Sequence, residues 1–222
     1  MSVIISDKSQ SNEVILKLRS AINLFIIDHG WIRAIINNNF YSINEGVYRS
    51  GQPSPKLLEH YIIKHKIKNI INLRYSDTSD QDIYIMQKNL CHKHNTNMIS
   101  IPISARRLPE KNKLKLILDT IKKIQKPFLV HCKTGADRTG FFMALYTFYN
   151  TNDIELAKKQ LSLKYLHISY SSTGILDYFF NLIENLELKN TELEDWIDKK
   201  YDPQLITSNY KLNIKSLRVL GN

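Results

Sequence analysis

Pro127-Phe-Leu-Val-His131-Cys132-Lys133-Thr134-Gly135-Ala136-Asp137-Arg138-Thr139-Gly140 is the stretch on which the reading of this chain turns. Pro127 to His131 is a short apolar run, suited to a strand covered on both faces. From Arg138 to Tyr149 the residues are apolar almost all round, which predicts a buried helix. The residues between must turn at the carboxyl end of a sheet, where open α/β folds place their ligands. Gly135 permits a backbone conformation that other residues resist. Successive amides then point inward and form a nest for a tetrahedral anion, beside the positive end of the helix. Arg138 adds a planar fork able to grip two oxygens of such an anion.

Cys132 stands at the lip of that nest. The thiolate is the nucleophile in cysteine chemistry, and a free thiol at neutral pH is only a few per cent thiolate. Inward amides, Arg138 and the Thr139 hydroxyl would each favour the anion. The expected chemistry is attack on phosphorus, a phosphocysteine, and its release by water, with no metal and no cofactor. Cys132, Arg138 and Asp137 are the expected catalytic residues. Lys133, Thr134, Gly135, Ala136, Asp137 and Arg138 are the expected substrate-binding residues.

Working outward, Ser54-Pro55 predicts a helix start, with Ser54 capping and Pro55 in the first turn, running to about His65. Ile67 to Leu73 is a β-branched run that predicts a covered strand. A helix over 80–94, a strand over 97–103 and an amphipathic helix over 114–124 follow. Two short strands, 40–42 and 47–49, flank a turn at Asn44–Gly46. Helical segments are expected near 153–165, 173–188 and 192–200. Strands alternating with helices imply an α/β fold, a mainly parallel sheet of about four to five strands flanked by helices. The domain reading is a tail over 1–12, a helical extension over 13–39, a catalytic domain over 40–203 and a C-terminal tail over 204–222.

Lys and Arg total 31 against 21 Asp and Glu, a formal charge of +10 that favours anionic partners. The basic residues are scattered rather than interleaved with aromatics, so no nucleic-acid site is expected. Two cysteines make no disulfide framework and fit a reducing compartment, hence a cytoplasmic reading. The start is polar, unlike a secretory leader, and the apolar stretch 21–36 is broken by Asp28, His29 and Arg33, so no transmembrane segment is expected. The greasy face beginning at Glu13 would pack on the domain, on a second copy, or shallowly on a membrane surface. Cys91, His92 and His94 match no closed zinc site. His131 is read as orienting the loop and the cysteine, His167 as a packing residue, and Trp196 with Tyr201 as a structural anchor.

His131-Cys132-x-x-Gly135-x-x-Arg138-Thr139-Gly140 resembles the signature loop of the protein tyrosine and dual-specificity phosphatase superfamily. Val47-Tyr-Arg-Ser-Gly-Gln-Pro53 and Ile70-Ile-Asn-Leu-Arg74 are similar to the opening of small bacterial members. Asp28-His-Gly30 with Arg33, and Asp195-Trp196 with Tyr201-Asp202-Pro203, also resemble that subgroup. The likeness spans about residues 28–203. It implies the cysteine-phosphatase fold and hydrolysis of a phosphorylated protein, lipid or inositol phosphate through a phosphocysteine.

One departure bears on mechanism. Most relatives carry an acidic aspartate two to three dozen residues before the cysteine, but here no aspartate falls between Asp82 and Asp119. Asp137, inside the loop, is the best replacement, as in some phosphoinositide phosphatases that have an aspartate there; its alternative role is to pair with a cation or orient the loop. Glu110 is a weaker candidate. Lys133 with Arg106 and Arg107 would accept a second phosphate, or simply face water. The competing class is a phosphate-binding module without turnover.

Overall fold

The computed structural model describes residues 37–76 and 81–220, with side chains described for 38–76 and 81–212. The tail 1–12, the helix expected from Glu13, and Asp28, Gly30 and Arg33 lie outside the described residues. The described chain divides into two compact units, 37–102 with 125–134, and 103–124 with 135–220.

The first unit holds five strands: β1 (Tyr41–Asn44), β2 (Val47–Ser50), β3 (Asn69–Asn72), β4 (Asn97–Ser100) and β5 (Phe128–His131). Their order is β1-β2-β5-β3-β4, antiparallel between β1 and β2 and parallel elsewhere. The strand expected from Pro127 thus lies at the centre, and all four of its residues are buried. The chain makes β3 and β4 on one side before returning to β5 beside β2, so the strand order reverses there. In open α/β sheets such a reversal marks the ligand site.

Two helices belong to this unit, α1 (Pro55–His65) and α2 (Asp82–Lys93). Ser54 accepts the amide hydrogen of Leu57 at 3.3 Å, the cap the sequence announces. Leu58, Tyr61 and Ile62 of α1, Cys91 of α2, and Ile70 and Leu129 of the sheet form one apolar cluster. Ile71 and Val130, one residue further along their strands, are equally buried. Burial of consecutive strand residues is what the β-branched run 67–73 implies.

The second unit is helical: α3 (Lys111–Lys123), α4 (Asp137–Thr151), α5 (Ile154–Lys158), α6 (Ile175–Asn185), α7 (Leu193–Lys199) and α8 (Pro203–Leu220). Ten consecutive residues of α4, Thr139 to Phe148, are buried, matching its apolar composition. Phe141 meets Phe179 and Phe180 of α6 edge-on, at 5.3 and 5.6 Å between ring centroids. Trp196 packs edge-on against Tyr201 at 5.6 Å, and the Tyr201 hydroxyl donates to Pro109 O at 2.6 Å, so this pair anchors the segment as expected. The helical segment expected over 153–165 is interrupted: α5 ends at Lys158 and a separate 3-10 turn spans Leu163–Tyr165.

The sequence reading ends the domain at 203 and leaves 204–222 as a tail, whereas Pro203–Leu220 is helix. Asp202 explains its start. Its Oδ1 accepts from the amides of Gln204 and Leu205, both at 2.9 Å, and Pro203 needs no donor partner in a first turn. With eight α-helices among the described residues and a five-stranded, mainly parallel sheet, the chain has the α/β fold expected.

Candidate active site

Cys132 directly follows β5 and is 1 % exposed. His131 closes the strand, fully buried, with its Nε2 3.4 Å from Gln87 Nε2. The next two residues are fixed through their carbonyls. Lys133 O accepts from the Gln52 amide at 3.1 Å, and Thr134 O accepts from Asn39 Nδ2 at 3.0 Å. Gly51 closes in on the same backbone: a methyl group there would sit 3.2 Å from the Thr134 carbonyl. Gln52 belongs to the Val47–Pro53 stretch and Asn39 to a 3-10 turn, Asn37–Asn39, just before β1. Asn38 holds that turn against the strand end, accepting from Gly51 N at 2.8 Å and donating its Nδ2 to Gly51 O at 3.1 Å.

Gly135 has φ +77°, the left-handed backbone for which glycine is the residue of choice. Ala136 is buried, and its carbonyl accepts from Gly140 N at 2.8 Å, the first turn of α4. The helix therefore begins at Asp137, one residue before the expected Arg138. Asp137 and Arg138 are half-buried. Thr139 is fully buried, and among the described residues its Oγ1 makes no hydrogen bond. A buried hydroxyl in this state calls for an acceptor, whether an ordered water or a group brought by chemistry at the loop. Of the expected binding residues, Lys133 is half-buried and Thr134 exposed.

Asp137 has a specific partner. Its Oδ1 lies 2.8 Å from His167 Nδ1, while His167 Nε2 lies 2.7 Å from Asp177 Oδ2 on α6. The His167 side chain is wholly buried, the two carboxylates about one-fifth exposed. Both ring nitrogens face carboxylate oxygens, which calls for two donors, the imidazolium form. Burial opposes a charge on His167, but the hydrogen bonds to Asp137 and then Asp177 outweigh it and raise its pKa to about 9. This corrects the reading of His167 as a packing residue. Residues 30 and 40 positions from Asp137 left no local spacing by which to find them.

Glu110 stands at the start of α3, where it accepts from Gln204 Nε2 at 3.3 Å. Arg106 and Arg107 are exposed. Burial pushes the Cys91 thiol up to about 12, which makes it an inert core residue, and His94 pairs with Glu59 at 2.9 Å.

Residues 37–173 match the family described as DSP-PTPase phosphatase fused to NAD+ kinase. The chain belongs to this family. The match contains the whole loop from Cys132 to Gly140, together with Asn39, Gln52 and His167. This DSP-PTPase is 28 % identical over 105 residues to the rice inositol diphosphatase DSP2, a stretch covering 46 % of this chain and 50 % of that protein. It thus spans half the length of that relative. Among solved structures, TpbA of P. aeruginosa aligns with a TM-score of 0.54 at 17 % identity, over 74 % of this chain and 93 % of TpbA. The core catalytic domain of the PP-IP phosphatase SIW14 from S. cerevisiae aligns with a TM-score of 0.50 at 16 % identity, over 67 % and 92 % of the two chains. At such identities the likeness speaks for the fold, which is that of the cysteine-dependent phosphatases.

Proposed function

We propose that the domain over 40–203 hydrolyses phosphate esters or anhydrides through a phosphocysteine on Cys132. The reading is carried by the loop Cys132-x5-Arg138-Thr139 at the end of the central strand of a DSP-PTPase. Arg138 grips two phosphoryl oxygens, and the loop amides take the third. The Thr139 hydroxyl, buried without a partner among the described residues, donates to the sulfur anion as it leaves. Asp137, through the oxygen not engaged by His167, takes a proton from the water that releases phosphate; to serve an alcohol leaving group it must first carry a proton on that same oxygen. Lys133 faces the rest of a polyanionic substrate.

The substrate class follows from the leaving group. An alcohol leaving as alkoxide needs a proton, a phenol needs one less, and a phosphate leaving from an anhydride needs none. With no aspartate between Asp82 and Asp119, and Glu110 engaged by Gln204, Asp137 is the loop's own carboxylate. A leaving phosphate asks nothing of that carboxylate except the water-activating step, the smallest demand on a group already paired with His167, which favours an inositol diphosphate. The activity named for the rice relative and the formal charge of +10 support it. The two free cysteines fit a reducing, cytosolic setting.

Phosphate release from inositol diphosphates, inositol phosphates, phosphoinositides, phosphotyrosine peptides and NADP+ tests this; NADP+ joins the panel because the family description pairs the domain with an NAD+ kinase. The expected order puts inositol diphosphates first by at least tenfold in kcat/KM. Cys132→Ser should abolish turnover and retain binding. A phosphotyrosine peptide ranking first would overturn the substrate assignment. Phosphate binding without turnover of any substrate, p-nitrophenyl phosphate included, would make the protein a binding module.

A further inference from the structure

We propose that His167, clamped between Asp177 and Asp137, is a positioning residue that fixes the Asp137 carboxylate for proton transfer in the signature loop. This rests on the reading of Asp137 given above and adds the device that aims it.

A carboxylate in the first turn of a helix rotates freely unless something holds it, and proton transfer needs it within hydrogen-bond reach of the reacting oxygen. His167 supplies the hold. It comes from the loop after the 3-10 turn, with its ring wholly buried and its Nδ1 2.8 Å from Asp137 Oδ1. Its opposite nitrogen is anchored at 2.7 Å by Asp177, which sits on α6 and fixes the plane of the ring. A histidine buried only for packing would hide its nitrogens or bond backbone; this one spends both on side-chain carboxylates, one of them inside the loop. The chain also commits backbone to the arrangement. Leu166, next to His167, has φ +64°, a costly conformation for a branched residue.

The titratable groups around the ring are Asp137 at the head of α4, Asp177 on α6 and, beyond Asp177, Tyr210 on α8. Burial and then the charge of Asp177 push the Tyr210 hydroxyl up. His167 is expected to lose a proton near pH 9. When it does, one ring nitrogen stops donating and one carboxylate is released. Activity that depends on the clamp should therefore decline as the pH rises through about 9.

The experiment measures kcat and KM from pH 5 to 10 for an alkyl phosphate and for p-nitrophenyl phosphate. It uses the full chain and His167→Gln, Asp177→Asn, Asp137→Asn and the double variant Asp137→Asn/His167→Gln. Cys132-dependent turnover by the unaltered chain comes first, and its absence would sink the site reading itself. Given that turnover, His167→Gln should lower kcat on the alkyl phosphate at least tenfold, leave KM within about twofold, and erase the alkaline limb. Asp177→Asn, which keeps the shape of the side chain and removes its charge, should move that limb to lower pH. In the Asp137→Asn background, His167→Gln should cost nothing further. Equal slowing in both backgrounds, or an alkaline limb that survives His167→Gln, would overturn the positioning role and leave the site reading standing.

Discussion

Asp137 and His167 are joined by one hydrogen bond, and its stability consequence has a definite sign. His167 has a raised pKa when folded, about 9, against an ordinary 6.5. Its contribution to stability is therefore complete below about pH 6.5 and is lost as the pH rises through about 9. For a fully buried ring the linkage amounts to roughly 3 kcal/mol. Urea unfolding at pH 6 and pH 9.5 should show a fall of that order in the unaltered chain and a much smaller one in His167→Gln. A flat profile would mean that the ring is neutral when folded. At this scale the sequence told much about the loop, because Cys132, Gly135, Arg138 and Thr139 sit on contiguous chain and their chemistry follows from their types. It told nothing about His167 or Asp177, whose meaning lies in a meeting that spacing does not encode. Glu110 shows the same limit, since its engagement by Gln204 depends on where α8 starts.

Elements were legible wherever a local signal existed. Ser54 and Pro55 marked the start of α1, and the β-branched run marked β3. The turn at Asn44–Gly46 marked the β1–β2 hairpin, in which Gly46 takes φ +74°. The helix α8 hangs on a single local signal, the Asp202 cap before Pro203, and nothing further along 204–222 marks a helix start. No periodicity announces the turn at Asn37–Asn39, because Asn38 and Asn39 adopt positive φ, 54° and 51°. Gly140 carries the prediction that belongs here. A methyl group on it would come 2.7 Å from Leu161 Cδ2 and 2.9 Å from Gln160 O. Glycine thus lets α4 approach the chain that follows α5. Gly140→Ala gains about 1 kcal/mol of helix propensity but must push a backbone carbonyl aside. A net loss of about 1–2 kcal/mol is expected in the urea midpoint, and an unchanged or higher midpoint would show that the packing yields.

For the molecule as a whole, charge makes the forecast. A formal charge of +10 draws polyanions toward the protein, and such steering weakens as salt shortens the Debye length, from about 10 Å at 0.1 M to about 3 Å at 1 M. Raising salt from 0.05 to 0.5 M should therefore lower kcat/KM several-fold for an inositol diphosphate and far less for p-nitrophenyl phosphate. Equal salt sensitivity for both would place the useful charge within the loop alone. Among the described residues no helix is long and apolar enough to cross a membrane. Many of the cations are engaged on the surface: Lys115 with Asp198 at 2.7 Å, Lys122 with Glu194, and Lys158 with Glu184 at 2.9 Å. Pairs this exposed contribute about 0–1 kcal/mol each. Asn39, by contrast, holds a carbonyl of the signature loop from more than ninety residues away. Anyone trimming this gene for expression inherits a constraint from that amide: cloning boundaries drawn at the first strand would discard the brace on the segment that follows Cys132.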